Sequence, residues 1–250
     1  MSETVTENAP LTVVLVHGAF ADASSWNGVI ERLQAAGIQV TAPAIPLRGI
    51  AHDSAYVASF LKQIPGRALA VGHSYGGAVI SNAAADADNV AGLVFVAAFA
   101  PEEGERLGEV EATSRDSVLG TAQVALQYPT GDGAETATEF AIDPAKFHDA
   151  FAADLPLEQT AVMAATQRPV AEPAFSEPSG PPAWKSLPTW AVVATGDKAA
   201  GADVIRSMAE RAGATITEAE GSHVIMVSQP QAVTDVILEA VATVGSVSKH

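Results

Sequence analysis

Ser74, Asp197 and His223 stand far apart in this chain, and together they have the side chains that acyl transfer requires. Ser74 lies in Gly72-His73-Ser74-Tyr75-Gly76, a G-x-S-x-G pattern. Such a pattern puts a serine on a sharp strand-to-helix corner with its hydroxyl exposed, and the flanking glycines allow close backbone approach. A serine hydroxyl is a poor nucleophile at its free pKa and needs a base. His73 is badly placed for that, since neighbours on a strand face opposite ways. His223 follows the last apolar strand and is expected at the same sheet edge as Ser74. Asp197 follows the preceding strand and is expected there too, with Glu220 and Asp203 as nearby alternative acids. The order serine, acid, histidine differs from the chymotrypsin and subtilisin orders.

The chemistry these residues imply is covalent. His223 takes the Ser74 proton, Ser74 attacks a carbonyl carbon, and Asp197 fixes the imidazole tautomer and stabilises its charged form. Two backbone amides, of Tyr75 and Ala19, are the expected oxyanion donors, each worth about 3 kcal/mol in the transition state. Phe20 is the alternative to Ala19, because the turn His17-Gly18-Ala19-Phe20 is not fixed to one residue by sequence. His17 is expected to hold that turn. Phe20, Trp26, Phe99 and Tyr128 are the candidate pocket residues, and Phe140, Phe147 and Phe151 add apolar material that suits a cap core or a pocket wall.

Positioning these groups takes a parallel sheet. The apolar runs 11–16, 68–72, 90–97, 189–195 and 214–219 have strand length and little alternation, as expected of strands covered on both faces. Between them come helical stretches: one from Ser24 or Ser25 as N-cap to a stop at Gly37, one starting near Tyr56 after a loop through Gly49 to Ser54, one from 78 to 85, one from 202 to 212, and one from 230 to 243 ended by Gly245. A short strand is expected over 38–42. Strand–helix alternation predicts an α/β fold with a mostly parallel central sheet and helices on both faces. The rhythm breaks between 101 and 187, a Pro-rich segment too long for a bare loop and expected to form a small helical cap. The expected organisation is a loose tail over 1–10, core from 11 to 100, cap insertion from 101 to 187, and core again from 188 to 250.

Composition narrows the partners. Thirteen Lys and Arg against twenty-nine Asp and Glu give a net charge of −16, which opposes nucleic acid and anionic membrane surfaces. The absence of cysteine excludes disulfides, thiolate catalysis and cysteine metal sites. The polar, acidic start MSETVTENAP and the lack of about 18 uninterrupted apolar residues set the expectation of a soluble cytoplasmic protein. Its expected partner is a small-molecule acyl substrate; oligomeric state is not readable.

Leu15-Val16-His17-Gly18-Ala19, Gly72-His73-Ser74-Tyr75-Gly76-Gly77 and the stretch Gly221 to Pro230 resemble the α/β-hydrolase superfamily, in the branch with plant methyl esterases, hydroxynitrile lyases and small bacterial serine hydrolases. The resemblance covers nearly the whole chain, loosely in the cap. It implies the Ser74, Asp197, His223 triad, Ala19 and Tyr75 as oxyanion donors, and neither cofactor nor metal. The lyases of this branch carry threonine and lysine where this chain has Gly18 and Val224, which disfavours cyanohydrin cleavage. The expected function is hydrolysis of a small carboxylic ester, lactone or related acyl compound through an acyl-enzyme. Cofactor-free haloperoxidase-like activity, or a ligand-binding receptor that retains the site, are the alternatives.

Overall fold

The computed structural model describes residues 10–131 and 134–246; the expected tail over 1–10 lies, apart from Pro10, outside them. Apolar β-branched segments form the first half of the core. β1 (Leu11–Val16) is followed by a 3₁₀ turn (Ala23–Trp26), α1 (Asn27–Ala35), β2 (Gln39–Thr41), α2 (Ile50–Lys62), β3 (Arg67–His73), α3 (Tyr75–Ala85) and β4 (Val90–Val96). The second half comprises β8 (Thr189–Ala194), α9 (Ala202–Arg211), β9 (Thr215–Ala219), α10 (Ile225–Ser228) and α11 (Pro230–Ser246), after the intervening segment described below. Six strands pair in the order β2-β1-β3-β4-β8-β9, all parallel. Val13 to Val16 and Val192 to Ala194 are fully buried, which requires helices on both faces. They are supplied as pairs, α1 against α11 and α2 against α3.

Three helix starts differ from expectation, and α3 begins at Tyr75, directly after Ser74, rather than at 78. The 3₁₀ turn before α1 is capped by Asp22, whose Oδ1 accepts from Ser24 N at 2.8 Å, so the cap precedes both serines. The predicted stop holds: Gly37 sits at φ 77°, with Gly37 N on Gln34 O and Ile38 N on Leu33 O, the paired bonds of a Schellman end. α2 begins at Ile50, six residues before Tyr56, with Gly49 at φ 141° as its N-cap. Its inner face is Ile50, Asp53, Ser54, Val57, Ala58 and Leu61. Pro43 and Pro46 imply a loop through Ser54, but no proline lies between 47 and 55, and the first turn of α2 closes with Asp53 N on Gly49 O at 2.9 Å. α11 runs past Gly245 to Ser246.

The segment between β4 and β8 is helical in α4 (Leu107–Glu111), α5 (Leu119–Ala122), α6 (Phe147–Phe151), α7 (Leu157–Thr166) and α8 (Pro173–Ser176). It also holds a three-stranded antiparallel sheet of β5 (Gln123–Thr130), β6 (Glu135–Ile142) and β7 (Val170–Ala171), in that order. The hairpin register is continuous from Gln123↔Ile142 to Thr130↔Glu135. These strands depart from the expected helical cap; β5 alternates Val124, Leu126 and Tyr128 in sequence, yet Val124 and Leu126 are exposed.

The cap is tied to the core by polar bonds. Val118 N donates to Lys198 O at 2.8 Å and Ala171 N to Leu47 O at 2.9 Å. Asp203, at the start of α9, accepts from Ser114 Oγ at 2.5 Å and Arg115 N at 2.9 Å. Partial burial raises the Asp203 pKa, but the Ser114 hydroxyl and the amides of Arg115 and Val204 outweigh it and bring the carboxyl down to about 2. A depressed carboxylate contributes stability that is full above its unfolded value and is lost as pH falls through the folded one. Asp203→Asn is therefore expected to lower the urea midpoint at pH 7, with the gap from wild type shrinking between about pH 4 and pH 2. An equal gap at pH 7 and pH 2.5 would count against this tether.

Candidate active site

Ser74 occupies the single residue between β3 and α3. Its backbone sits at φ 52°, ψ −123°, a conformation a side-chain-bearing residue adopts only when its surroundings impose it. The imposition is visible. Ser74 O accepts from Gly77 N at 3.0 Å and Phe99 N at 3.2 Å, and Ser74 N donates to Val96 O at 3.3 Å. A Cβ at Gly72 would lie 2.5 Å from Gly76 O, one at Gly76 2.6 Å from Val16 O, and one at Gly77 2.5 Å from Phe99 O. All three neighbours are backbone, so the corner closes only with glycine there.

Asp197 and His223 meet as the sequence order implied. His223 Nδ1 lies 2.8 Å from Asp197 Oδ2, both side chains 1% exposed. The second carboxylate oxygen, Oδ1, accepts from Ala199 N at 2.9 Å and Ala200 N at 3.0 Å. Asp197 thus accepts three hydrogen bonds, and the one from His223 Nδ1–H leaves Nε2 with its lone pair. The alternative acids are engaged elsewhere: Asp203 holds Ser114 and Arg115, and Glu220 is exposed.

Two further histidines build the floor. His73 Nε2 donates to His223 O at 2.9 Å, and its ring centroid lies 4.7 Å from that of His223. Complete burial, and secondarily the nearby His223, hold the His73 pKa well below the ordinary imidazole range; it is neutral and fixes the His223 backbone. His17 donates from Nδ1 to Gly18 O at 2.9 Å and accepts at Nε2 from Ile45 N at 3.1 Å. Burial lowers its pKa as well, so it holds the turn, as its sequence context suggested. Ala19 and Phe20 follow, 3% exposed, with Phe20 at φ 60°.

The aromatic candidates divide. Phe20 stacks on Phe175 at 6.4 Å and meets Phe151 edge-on at 6.2 Å, and the Phe151 ring lies 5.1 Å from that of His223. Trp26 is fully buried and meets His73 edge-on at 6.4 Å. Phe99 reaches Ser74 through its backbone amide. Tyr128 sits on the cap hairpin under the Arg48 guanidinium, 4.3 Å from its ring centroid. Sequence reasoning placed Phe151 in the cap, did not single out Phe175, and missed Asp53, which accepts a 2.8 Å bond from the Tyr75 hydroxyl. The available signal was an acid on an otherwise apolar stripe of α2.

A parallel sheet with its strand ends gathering a serine corner, a buried His–Asp pair and a glycine turn defines a class. The chain belongs to the alpha/beta hydrolase family, whose profile matches residues 13–236. Among solved structures the fold is similar to polyneuridine aldehyde esterase, with a TM-score of 0.78 at 20% identity over 93% of this chain and 99% of that one. It is similar also to methylesterase MES16 from Arabidopsis, at 0.75 and 20% over 93% and 99%, and to the pyrethroid hydrolase PytH, at 0.72 and 20% over 93% and 98%. A curated pyrethroid hydrolase from Sphingobium wenxiniae is 34% identical over 98 residues, 34% of this chain and 35% of that enzyme. The match therefore spans about a third of that relative's length. Among the described residues no helix is long and apolar enough to cross a membrane.

The crowding at Gly18 gives a test of the site's geometry. A Cβ there would lie 2.8 Å from Ser74 Cβ and 2.9 Å from His73 Nδ1. Gly18→Ala is expected to cost about 1–3 kcal/mol by overpacking, seen as a Tm lower by roughly 5 °C, with slower labelling of Ser74 by a fluorophosphonate. Unchanged Tm and labelling would show that the turn is looser than this.

Proposed function

We propose that this protein is a serine hydrolase that cleaves a small, uncharged carboxylic ester or lactone through an acyl-enzyme. The observation that carries the reading is the strained Ser74 corner at the sheet edge that also holds the buried Asp197–His223 pair. His223 Nε2 takes the Ser74 hydroxyl proton as Oγ attacks the substrate carbonyl carbon, and the carbonyl oxygen gains the negative charge. The amides of Ala19 and Tyr75 receive that oxyanion. As the tetrahedral intermediate collapses, His223 passes the proton to the leaving alcohol; water, activated by the same imidazole, then releases the acid. Asp197 holds Nδ1–H throughout and balances the imidazolium.

The surroundings favour a neutral substrate with an apolar part. Phe20, Phe151 and Phe175 wall the imidazole side. A cavity of about 360 Å³ extends from Phe20 and Val227 to Met163 and Val162 of α7. It touches the oxyanion turn and the helix after His223 without reaching Ser74 or His223 themselves, and no lysine or arginine lines it. An anionic group would find no counter-charge there, in a chain of net charge −16.

The test is hydrolysis of a short-chain aryl ester. Wild type is expected to turn it over and Ser74→Ala to lose activity completely, while Asp197→Asn is expected to lose about 10⁴-fold in kcat. Tight binding of the ester without turnover in wild type would favour the receptor reading. A second measurement addresses the cavity: Met163→Trp is expected to raise KM severalfold for esters with bulky groups and to leave that for methyl esters unchanged. An equal effect on both would place the substrate elsewhere.

A further inference from the structure

Asp53 is a fully buried carboxylate that the acyl-transfer chemistry does not use. Its Oδ2 accepts from the Tyr75 hydroxyl at 2.8 Å, and its two oxygens lie 3.3 and 3.2 Å from Arg48 N. The exposed His52 ring adds a contact at 3.3 Å. Tyr75 is itself 1% exposed, and burial followed by the adjacent Asp53 charge raises its phenol pKa well above the ordinary value, so it remains a donor at any working pH. Tyr75 is also the first residue of α3, where backbone N–H groups lack helical partners. Its hydroxyl therefore anchors the residue whose amide is a proposed oxyanion donor.

The other oxyanion donor is anchored to the same stretch of chain. In a trans peptide the C=O and the following N–H point in opposite directions. His17 Nδ1–H holds Gly18 O, which turns Ala19 N–H away from the imidazole, and His17 Nε2 is held in turn by Ile45 N. Ile45 and Arg48 belong to one short segment, 43–49, that contains the buried Leu47 at φ 60°. That segment is bound to the cap through Ala171 N on Leu47 O, 2.9 Å, and Arg168 Nη1 on Ile45 O, 3.2 Å.

We infer that segment 43–49 braces both halves of the oxyanion hole, through Asp53 to Tyr75 and through Ile45 to His17, making Asp53, the Tyr75 hydroxyl and His17 positioning residues for the transition state. This inference rests on the hydrolase reading. An anion-stabilising amide acts only when it is aimed at the place where charge develops. A brace of this kind affects the tetrahedral state and leaves ground-state binding alone. Misalignment costs less than removal of a donor, which is about 10²–10³-fold.

The experiment uses the full chain and two ligands: an aryl ester for kcat and KM, and a trifluoromethyl ketone that adds to Ser74 as a tetrahedral hemiketal. Tyr75→Phe and Asp53→Leu are expected to lower kcat by about 10–100-fold and to weaken the ketone by the same factor, with KM held within about threefold. Asp53→Asn keeps one acceptor oxygen and the side-chain volume, so it is expected to fold and to lose only about three- to fivefold in both quantities. If the two larger changes prevent folding, Asp53→Asn decides alone. Unchanged ketone affinity in folded variants, or a loss carried by KM, overturns the brace while wild-type turnover and Ser74 labelling stand. A wild type that neither hydrolyses the ester nor takes a fluorophosphonate on Ser74 overturns the hydrolase reading, and the brace with it.

Discussion

The backbone of Ser74 is held where a side-chain-bearing residue does not settle by itself. A conformation of that kind costs on the order of 1–3 kcal/mol and survives only where neighbouring structure over-determines it. Here the over-determination is a ring of backbone contacts: Gly76 against Val16 and His17, Gly77 against Phe99, Gly72 against Gly76. Three consecutive parallel strands, β1, β3 and β4, must be in register before those contacts exist. The corner is thus a property of the sheet's centre, and α3 starts at the only angle it permits.

Histidine is used in three different ways around that corner. His223 is paired to a carboxylate, His73 is spent on the carbonyl of His223, and His17 bridges Gly18 O and Ile45 N. Burial lowers the pKa of the last two, so they remain neutral hydrogen-bonding struts. Of the three, only His223 is hydrogen-bonded to a carboxylate, that of Asp197. Burial keeps the His17 and His73 imidazoles neutral, so neither adds a like charge beside His223.

How much of this was legible follows from what leaves a local signature. The strand–corner–helix at Ser74, the helix end at Gly37 and the position of His223 after the last strand all depend on residues adjacent in sequence, and each is found as expected. The choice among Asp197, Asp203 and Glu220 is a matter of three-dimensional aim; the structure resolves it by giving Asp197 two amides and an imidazole. The first turns of α2 were hidden behind the loop that Pro43 and Pro46 imply, and Asp53, an acid on their buried stripe, is satisfied there by Arg48 N and by Tyr75, 22 residues on. The cap hairpin was hidden behind the expectation of a helical cap after residue 101, although Val124, Leu126 and Tyr128 alternate along β5.

The cap's position between β4 and β8 divides the working parts of the molecule in time as well as in space. Leu93 pairs with Thr189, so the sheet closes across a loop of roughly a hundred residues, whose entropic cost rises by only about 0.6 kcal/mol for each doubling of length. The loop is free to vary in size without loosening the register that it spans. The proposed nucleophile and oxyanion donors belong to the part before this loop, the proposed acid and base to the part after it. A chain emerging from the ribosome therefore carries the Ser74 corner well before the Asp197–His223 pair, which follows only with its last two strands.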